Sequence, residues 1–203
     1  MKGKLWAFGD SFTKGGGLAP YNQYYKETYT NQKLWPDIVG LELNLEVENH
    51  GYSWSNTELI IRNILHFLPQ ISKKDIVIIS NTDPSSVFIP SKEHDSQLIR
   101  SARPFDNNYP FRDDKERKVC RDYAEYCINP YLAQFDKFWI KYLQSVQNML
   151  TRLKIKNLLW TRELWYSFES IEQATNGRIQ NFHWSWKGHE QMADYIIKQL
   201  NND

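Results

Sequence analysis

No excess of charge of either sign marks this chain. Its 25 Lys and Arg stand against 24 Asp and Glu over 203 residues, so no overall field argues for nucleic acid or an acidic membrane surface as a partner. Cysteine is nearly absent. Cys120 and Cys127 are the only two, and seven apart in a helix-like stretch they would lie about 10 Å from each other, beyond disulfide reach. No apolar run approaches the roughly 20 residues that a membrane span needs. The start, Met1-Lys2-Gly3-Lys4, passes straight into Leu5-Trp6-Ala7-Phe8 without the apolar region and small-residue cleavage site of an export signal. These absences together predict a reduced, cytoplasmic protein. Internal repeats and low-complexity segments are also missing. His50, His66 and His94 lack metal-ligand spacing, and Lys14-Gly15-Gly16-Gly17 lacks the spacing of a phosphate-binding loop, so neither metal nor cofactor is expected.

Aromatic residues, by contrast, make up 15% of the chain, with eight Trp and twelve Tyr. That is more than a core of this size needs, and some of them are expected to line a surface or groove. The length suits one domain, residues 1–203. Residues 4–8 read as a buried strand ended by Gly9. A helix is predicted from Asn31 to Leu43, with Leu34, Trp35, Ile38, Val39 and Leu41 on one side and Pro36 in its first turn. Asn44 to Val47 reads as a strand that Asn49-His50-Gly51 breaks. Ser55 and Glu58 form a capping box ahead of a helix that carries Leu59, Ile60, Ile64, Phe67 and Leu68. Ile76 to Ile79 is a β-branched run of the kind covered on both faces.

From about 84 to 128 the periodicity fails among four prolines and many charges, which predicts an insertion or lid beside the sheet. Apolar residues from Tyr131 to Leu153 then follow helical spacing and read as core. Asn157 to Thr161 is a further strand, and Trp186 to Leu200 a closing helix. Strands alternating with helices predict an α/β fold with a parallel sheet covered on both faces.

In such sheets ligands sit beyond the carboxyl ends of the strands. Ser11, Gly51 and Ser80-Asn81-Thr82-Asp83 each follow a predicted strand and so share one rim. Ser11 in Gly9-Asp10-Ser11 is either a helix cap or a nucleophile, and a serine hydroxyl becomes a nucleophile only when a base takes its proton. His183, in a predicted loop just before the last helix, can reach over the sheet edge as that base. His189 falls inside the helix and reads as a surface or packing residue. The Ser11 N–H at a helix start, the Gly51 N–H, and a side chain of Asn81 or Thr82 are candidate donors for an oxyanion.

Gly9-Asp10-Ser11, Asn49-His50-Gly51-Tyr52-Ser53, Ser80-Asn81-Thr82-Asp83, and His183 with Gly188-His189, in this order from residue 4 to 200, resemble the four blocks of the SGNH (GDSL-type) hydrolases. The resemblance implies a three-layer, flavodoxin-like sandwich that hydrolyses esters through an acyl-serine intermediate without a cofactor. Ser11 would be the nucleophile, His183 the base, and Ser11, Gly51 and Asn81 or Thr82 the oxyanion donors. A small ester, foremost an O-acetylated carbohydrate, would be the substrate.

Two departures from the family pattern stand out. In its register Thr82 falls on the family's Asn, with Asn81 one place early. Where the family carries an Asp before its His, this chain has Gln180 and Asn181, neither able to hold a charge. The imidazole would then be oriented by one of these amides, by a backbone carbonyl, or by Glu163, Glu169 or Glu172. The lost carboxylate also raises a rival expectation, a catalytically weak or inactive member that binds glycan or protein through the same rim.

Overall fold

The computed structural model describes residues 2–15, 33–52, 55–82, 87–89, 100–102, 114–115, 117–118, 122, 132–161, 164, 167–168, 170–175 and 178–202. In chain order the elements begin with β1 (Lys4–Gly9), α1 (Ser11–Lys14), α2 (Trp35–Glu42), β2 (Glu46–Gly51), α3 (Thr57–Phe67) and β3 (Ile76–Ser80). They continue with β4 (Val87–Ile89), β5 (Arg100–Ala102), α4 (Leu132–Arg152), β6 (Lys156–Trp160), β7 (Ser170–Thr175), β8 (Arg178–Trp184) and α5 (Trp186–Asn202).

Four of the strands form one parallel sheet in the order β2-β1-β3-β6. The period of two along each strand sorts side chains to opposite faces. Leu5, Ala7 and Ile78 bury against Trp35 and Val39 of α2 and Met192, Ala193, Ile196 and Leu200 of α5. Trp6, Phe8, Val77 and Ile79 bury on the other face against Ile60 and Ile64 of α3 and Leu143, Val146 and Leu150 of α4. The result is the expected three-layer α/β sandwich. Strand order reverses between β1 and β3, the point beyond whose carboxyl ends sheets of this kind bind ligands.

Several boundaries differ from the sequence reading. Strand β2 runs on to Gly51, because its ladder with β1 continues through Asn49, His50 and Gly51. Asn56, not Ser55, caps α3, its side chain accepting from Leu59 N at 2.8 Å. The helix expected from Asn31 begins at Trp35 with Pro36 in its first turn, and Leu41 is 67% exposed. On α4 the core stripe is narrower than the apolar spacing suggested. Leu143, Val146 and Leu150 are buried, while Phe138, Tyr142 and, just past the helix, Leu153 are nearly half exposed. Of the expected insertion at 84–128, the described residues include the antiparallel pair β4 and β5, with 114–115 and 117–118 helical. Cys120 and Cys127 lie outside the described residues.

At the amino-terminal edge of the sheet, Asp75 is buried and ties its own turn to β1. Its carboxylate accepts from Lys4 N (2.8 Å), Ser72 N (2.8 Å) and the Trp6 indole (3.2 Å). Burial pushes its pKa up, but these hydrogen bonds outweigh it and hold the carboxyl below its ordinary value. Asp75→Ala leaves all three donors without a protein partner and is expected to cost about 3 kcal/mol of stability in urea unfolding. An unchanged midpoint would show that water replaces the carboxylate without loss.

Candidate active site

Strand β1 ends at Gly9, and Asp10 turns the chain into the short helix α1. Asp10 is the N-cap, its side chain accepting from Phe12 N at 2.9 Å. Ser11 is therefore the first residue of a helix, where N–H groups have no intrahelical acceptor. The turn is possible because Gly9 has no Cβ: Thr13 Oγ1 and Ser80 Oγ already occupy the space one would need.

The base arrives from the far end of the chain. His183 Nε2 lies 2.9 Å from Ser11 Oγ, although 172 residues separate the two in sequence. His183 is not in a loop, as the sequence suggested, but near the end of strand β8, which pairs with β7 outside the main sheet. Between Ser170↔Trp184 and Glu172↔Asn181 the β8 strand advances three residues while β7 advances two. This bulge contains His183. A bulge re-aims side chains, and a bulged strand end next to a helix start has no simple sequence period by which to find it. The His183 ring rests against Phe12 (centroids 5.1 Å apart). Phe12 in turn meets the buried Trp184 edge-on at 4.9 Å.

Of the four candidate oxyanion groups, Gly51, Thr82 and Asn81 are differently committed. Gly51 N–H donates to Asn49 Oδ1 (2.9 Å), and Asn49 Nδ2 donates to Thr13 O (3.0 Å). The open side of Gly51 is filled by the α1 backbone, since a Cβ there would stand 2.5 Å from Lys14 N. Its missing side chain thus serves close packing of β2 on α1. Thr82 is buried, and its hydroxyl donates to Ser55 O at 3.0 Å. A hydroxyl has one proton, so Thr82 has none left for a substrate. Asn81 is equally buried. Its Oδ1 accepts from Thr82 N (2.9 Å) and Thr57 Oγ1 (3.3 Å), which fixes the amide with its oxygen on these donors and its NH₂ on the other side. Its own N–H bonds Trp160 O in β6 (3.0 Å).

Gln180 and Asn181 occupy β8 opposite Gln173 and Glu172 of β7. The side chains of these four residues lie outside the described ones, as do Glu163 and Glu169. His189, expected as a packing or surface residue, is 1% exposed. Burial, and then the neighbouring His183, lower its pKa to about 3.

No family model matches this sequence, and no curated protein matches it. Among solved structures, the chain is similar to a lipolytic protein of the G-D-S-L family from Veillonella parvula, with 13% identity, 96% of each chain covered and a TM-score of 0.42. A second is described as a putative lipolytic protein of the same family, from Desulfitobacterium hafniense. It shows 16% identity over 96% of this chain and 98% of that one, with a TM-score of 0.39. A variant of an acetyl xylan esterase from Geobacillus stearothermophilus shows 15% identity over 98% and 94%, with a TM-score of 0.40. Among the described residues no helix is long and apolar enough to cross a membrane.

Proposed function

We infer that the chain is a serine carboxylic ester hydrolase acting through an acyl-Ser11 intermediate. The reading rests on one observation, the 2.9 Å approach of His183 Nε2 to Ser11 Oγ at the carboxyl edge of a parallel sheet. Imidazole takes the Oγ proton as Oγ bonds to the ester carbonyl carbon, and the imidazolium then returns that proton to the departing alkoxide. Water repeats the sequence on the acyl-serine, giving up a proton to His183 and releasing the carboxylic acid. No metal or cofactor enters these steps.

The negative oxygen that develops in each half-reaction is received by the Ser11 N–H at the helix start and by the Asn81 amide. Gly51 N–H joins them only if it leaves Asn49. An orienting group without charge would stabilise the imidazolium less than a carboxylate does. The substrate is a small ester, with O-acetylated carbohydrates first to be tested in view of the aromatic-rich composition. A fluorophosphonate probe tests the nucleophile. Wild type should label and Ser11→Ala should not, whereas equal labelling would leave Ser11 a helix residue only.

The oxyanion assignment makes a separate prediction. Asn81→Ala should lower kcat about 10²- to 10³-fold, the usual effect of removing one such donor. Thr82→Val, which removes a hydroxyl already spent on Ser55 O, should alter stability more than kcat. Turnover of p-nitrophenyl acetate and urea midpoints for the two variants separate these effects. The reverse pattern would move the donor role to Thr82.

A further inference from the structure

Helix α2 starts without help from its own sequence. Its N-cap, Leu34, has no side chain to accept a hydrogen bond, and Pro36 contributes no N–H. The first N–H of the helix, on Trp35, instead donates to His189 Nδ1 at 3.3 Å, across 154 residues. This contact is buried. An imidazole that accepts at Nδ1 is neutral and carries its proton on Nε2. His189 also stands edge-on to Trp184, with centroids 5.6 Å apart and planes at 85°. Trp184 follows His183 directly and packs on Phe12, the residue after Ser11. On the other side, Leu34 fills the space beside Gly15 at the end of α1. A closed ring of contacts therefore runs from Ser11 through α1 to the start of α2, through His189 to Trp184, and back to His183.

We propose that His189 is a positioning residue, which by capping α2 through Nδ1 and bracing Trp184 holds the His183 imidazole in register with Ser11. The proposal rests on the esterase reading for its kinetic consequence, but the contact itself does not. Displacing a catalytic group by about 1 Å can cost about 100-fold in rate, so a buried brace one residue removed from the base has leverage.

The test compares His189→Asn with His189→Gln. Asparagine Oδ1 takes the place of Nδ1 and can accept from Trp35 N–H, while the glutamine acceptor lies one bond farther out. On p-nitrophenyl acetate, kcat should fall about 10- to 100-fold in His189→Gln with KM within about threefold of wild type, and should recover to within about threefold of wild type in His189→Asn. Rates are measured at a temperature where circular dichroism shows both variants fully folded. Equal loss in the two variants, or no loss in His189→Gln, overturns the proposal.

If His189→Gln does not fold, nitrogen-15 spectra of the wild type decide. The His189 Nδ1 must be unprotonated and the Trp35 amide slow to exchange, and a protonated Nδ1 or a rapidly exchanging Trp35 overturns the assignment. A wild type without esterase activity would sink the function reading alone. The His183 Nε2 signal would then carry the test, keeping its wild-type position in His189→Asn and moving in His189→Gln. A signal that moves alike in both overturns the proposal.

Discussion

Ser11→Ala is expected to lower kcat toward p-nitrophenyl acetate by about 10⁴-fold or more, His183→Ala by a comparable factor, and the double variant by no more than either alone. The non-additivity is the informative part. Once the hydroxyl is gone the imidazole has no proton to accept, and once the imidazole is gone the hydroxyl stays protonated and unreactive. Either loss therefore removes the same step. The residual rate would come from the Ser11 N–H and the Asn81 amide, which neither substitution removes. Additive losses in the double variant would mean that the two side chains act separately and that their 2.9 Å approach is not a catalytic contact. Ligand binding that survives both substitutions in a chain with no wild-type turnover would favour a binding role for the rim.

The second large effect is on stability in acid. Folding lowers the His189 pKa to about 3, first through burial and then through His183, whereas an unfolded histidine titrates near 6.5. As pH falls below about 6.5 the unfolded chain takes up a proton that the folded chain refuses. The stabilisation is thus complete above about pH 6.5 and is lost progressively down to about pH 3, a total of roughly 5 kcal/mol. That is a large part of the 5–15 kcal/mol that ordinarily separates a folded domain from its unfolded state. Urea unfolding of wild type and His189→Asn between pH 7 and pH 4 measures it. The variant should lose less stability across this range, by about 3 kcal/mol between pH 6.5 and 4.5. His50, its pKa also lowered by burial and its ring tilted against Phe67 at 4.1 Å, is common to both proteins and so cancels in the comparison. Parallel stability curves would mean that His189 takes up its proton in the folded state as easily as in the unfolded one.

These two experiments probe different parts of one edge of the molecule. The kinetic one concerns groups that meet just beyond the carboxyl end of β1. The acid one concerns the buried imidazole behind them, which accepts a backbone proton only while neutral. A histidine that remains uncharged to low pH suits a static acceptor, whereas the partly buried His183 is the imidazole on which the proposed proton transfers rest. Under the proposed function, two histidines six residues apart would differ in role as they differ in burial.

Most of the sandwich was legible in the residue order. The β-branched run at Ile76–Ile79, the alternation of Leu5 and Ala7 with Trp6 and Phe8, and the apolar periods of α3 and α5 are local signals. Local signals survive whenever one face of an element must be dry. The placement of Ser11 at a strand-to-helix turn followed from the same reasoning. Element ends were less legible, as with β2 and the α3 cap, because ladder partners and cap geometry belong to neighbours. The buried stripe on α4 is narrower than its apolar spacing, since apolar spacing shows which residues can be buried and not how wide a surface the sheet has to offer.

What no stretch of sequence could decide is which polar groups are already spent. Asn81 and Thr82 are adjacent and equally able to donate on paper, yet Ser55 O takes the threonine's only hydroxyl proton and Thr57 and Thr82 N–H pin the asparagine's oxygen. Gly51 N–H is open on paper, yet Asn49 Oδ1 accepts from it. His189 reads in the sequence as a surface or packing residue, yet the first N–H of α2 donates to its Nδ1. Secondary structure and the dry face of each element follow from neighbours in the chain. The commitment of a donor or the charge of an imidazole depends on atoms brought near from tens or hundreds of residues away, and only the folded arrangement decides that.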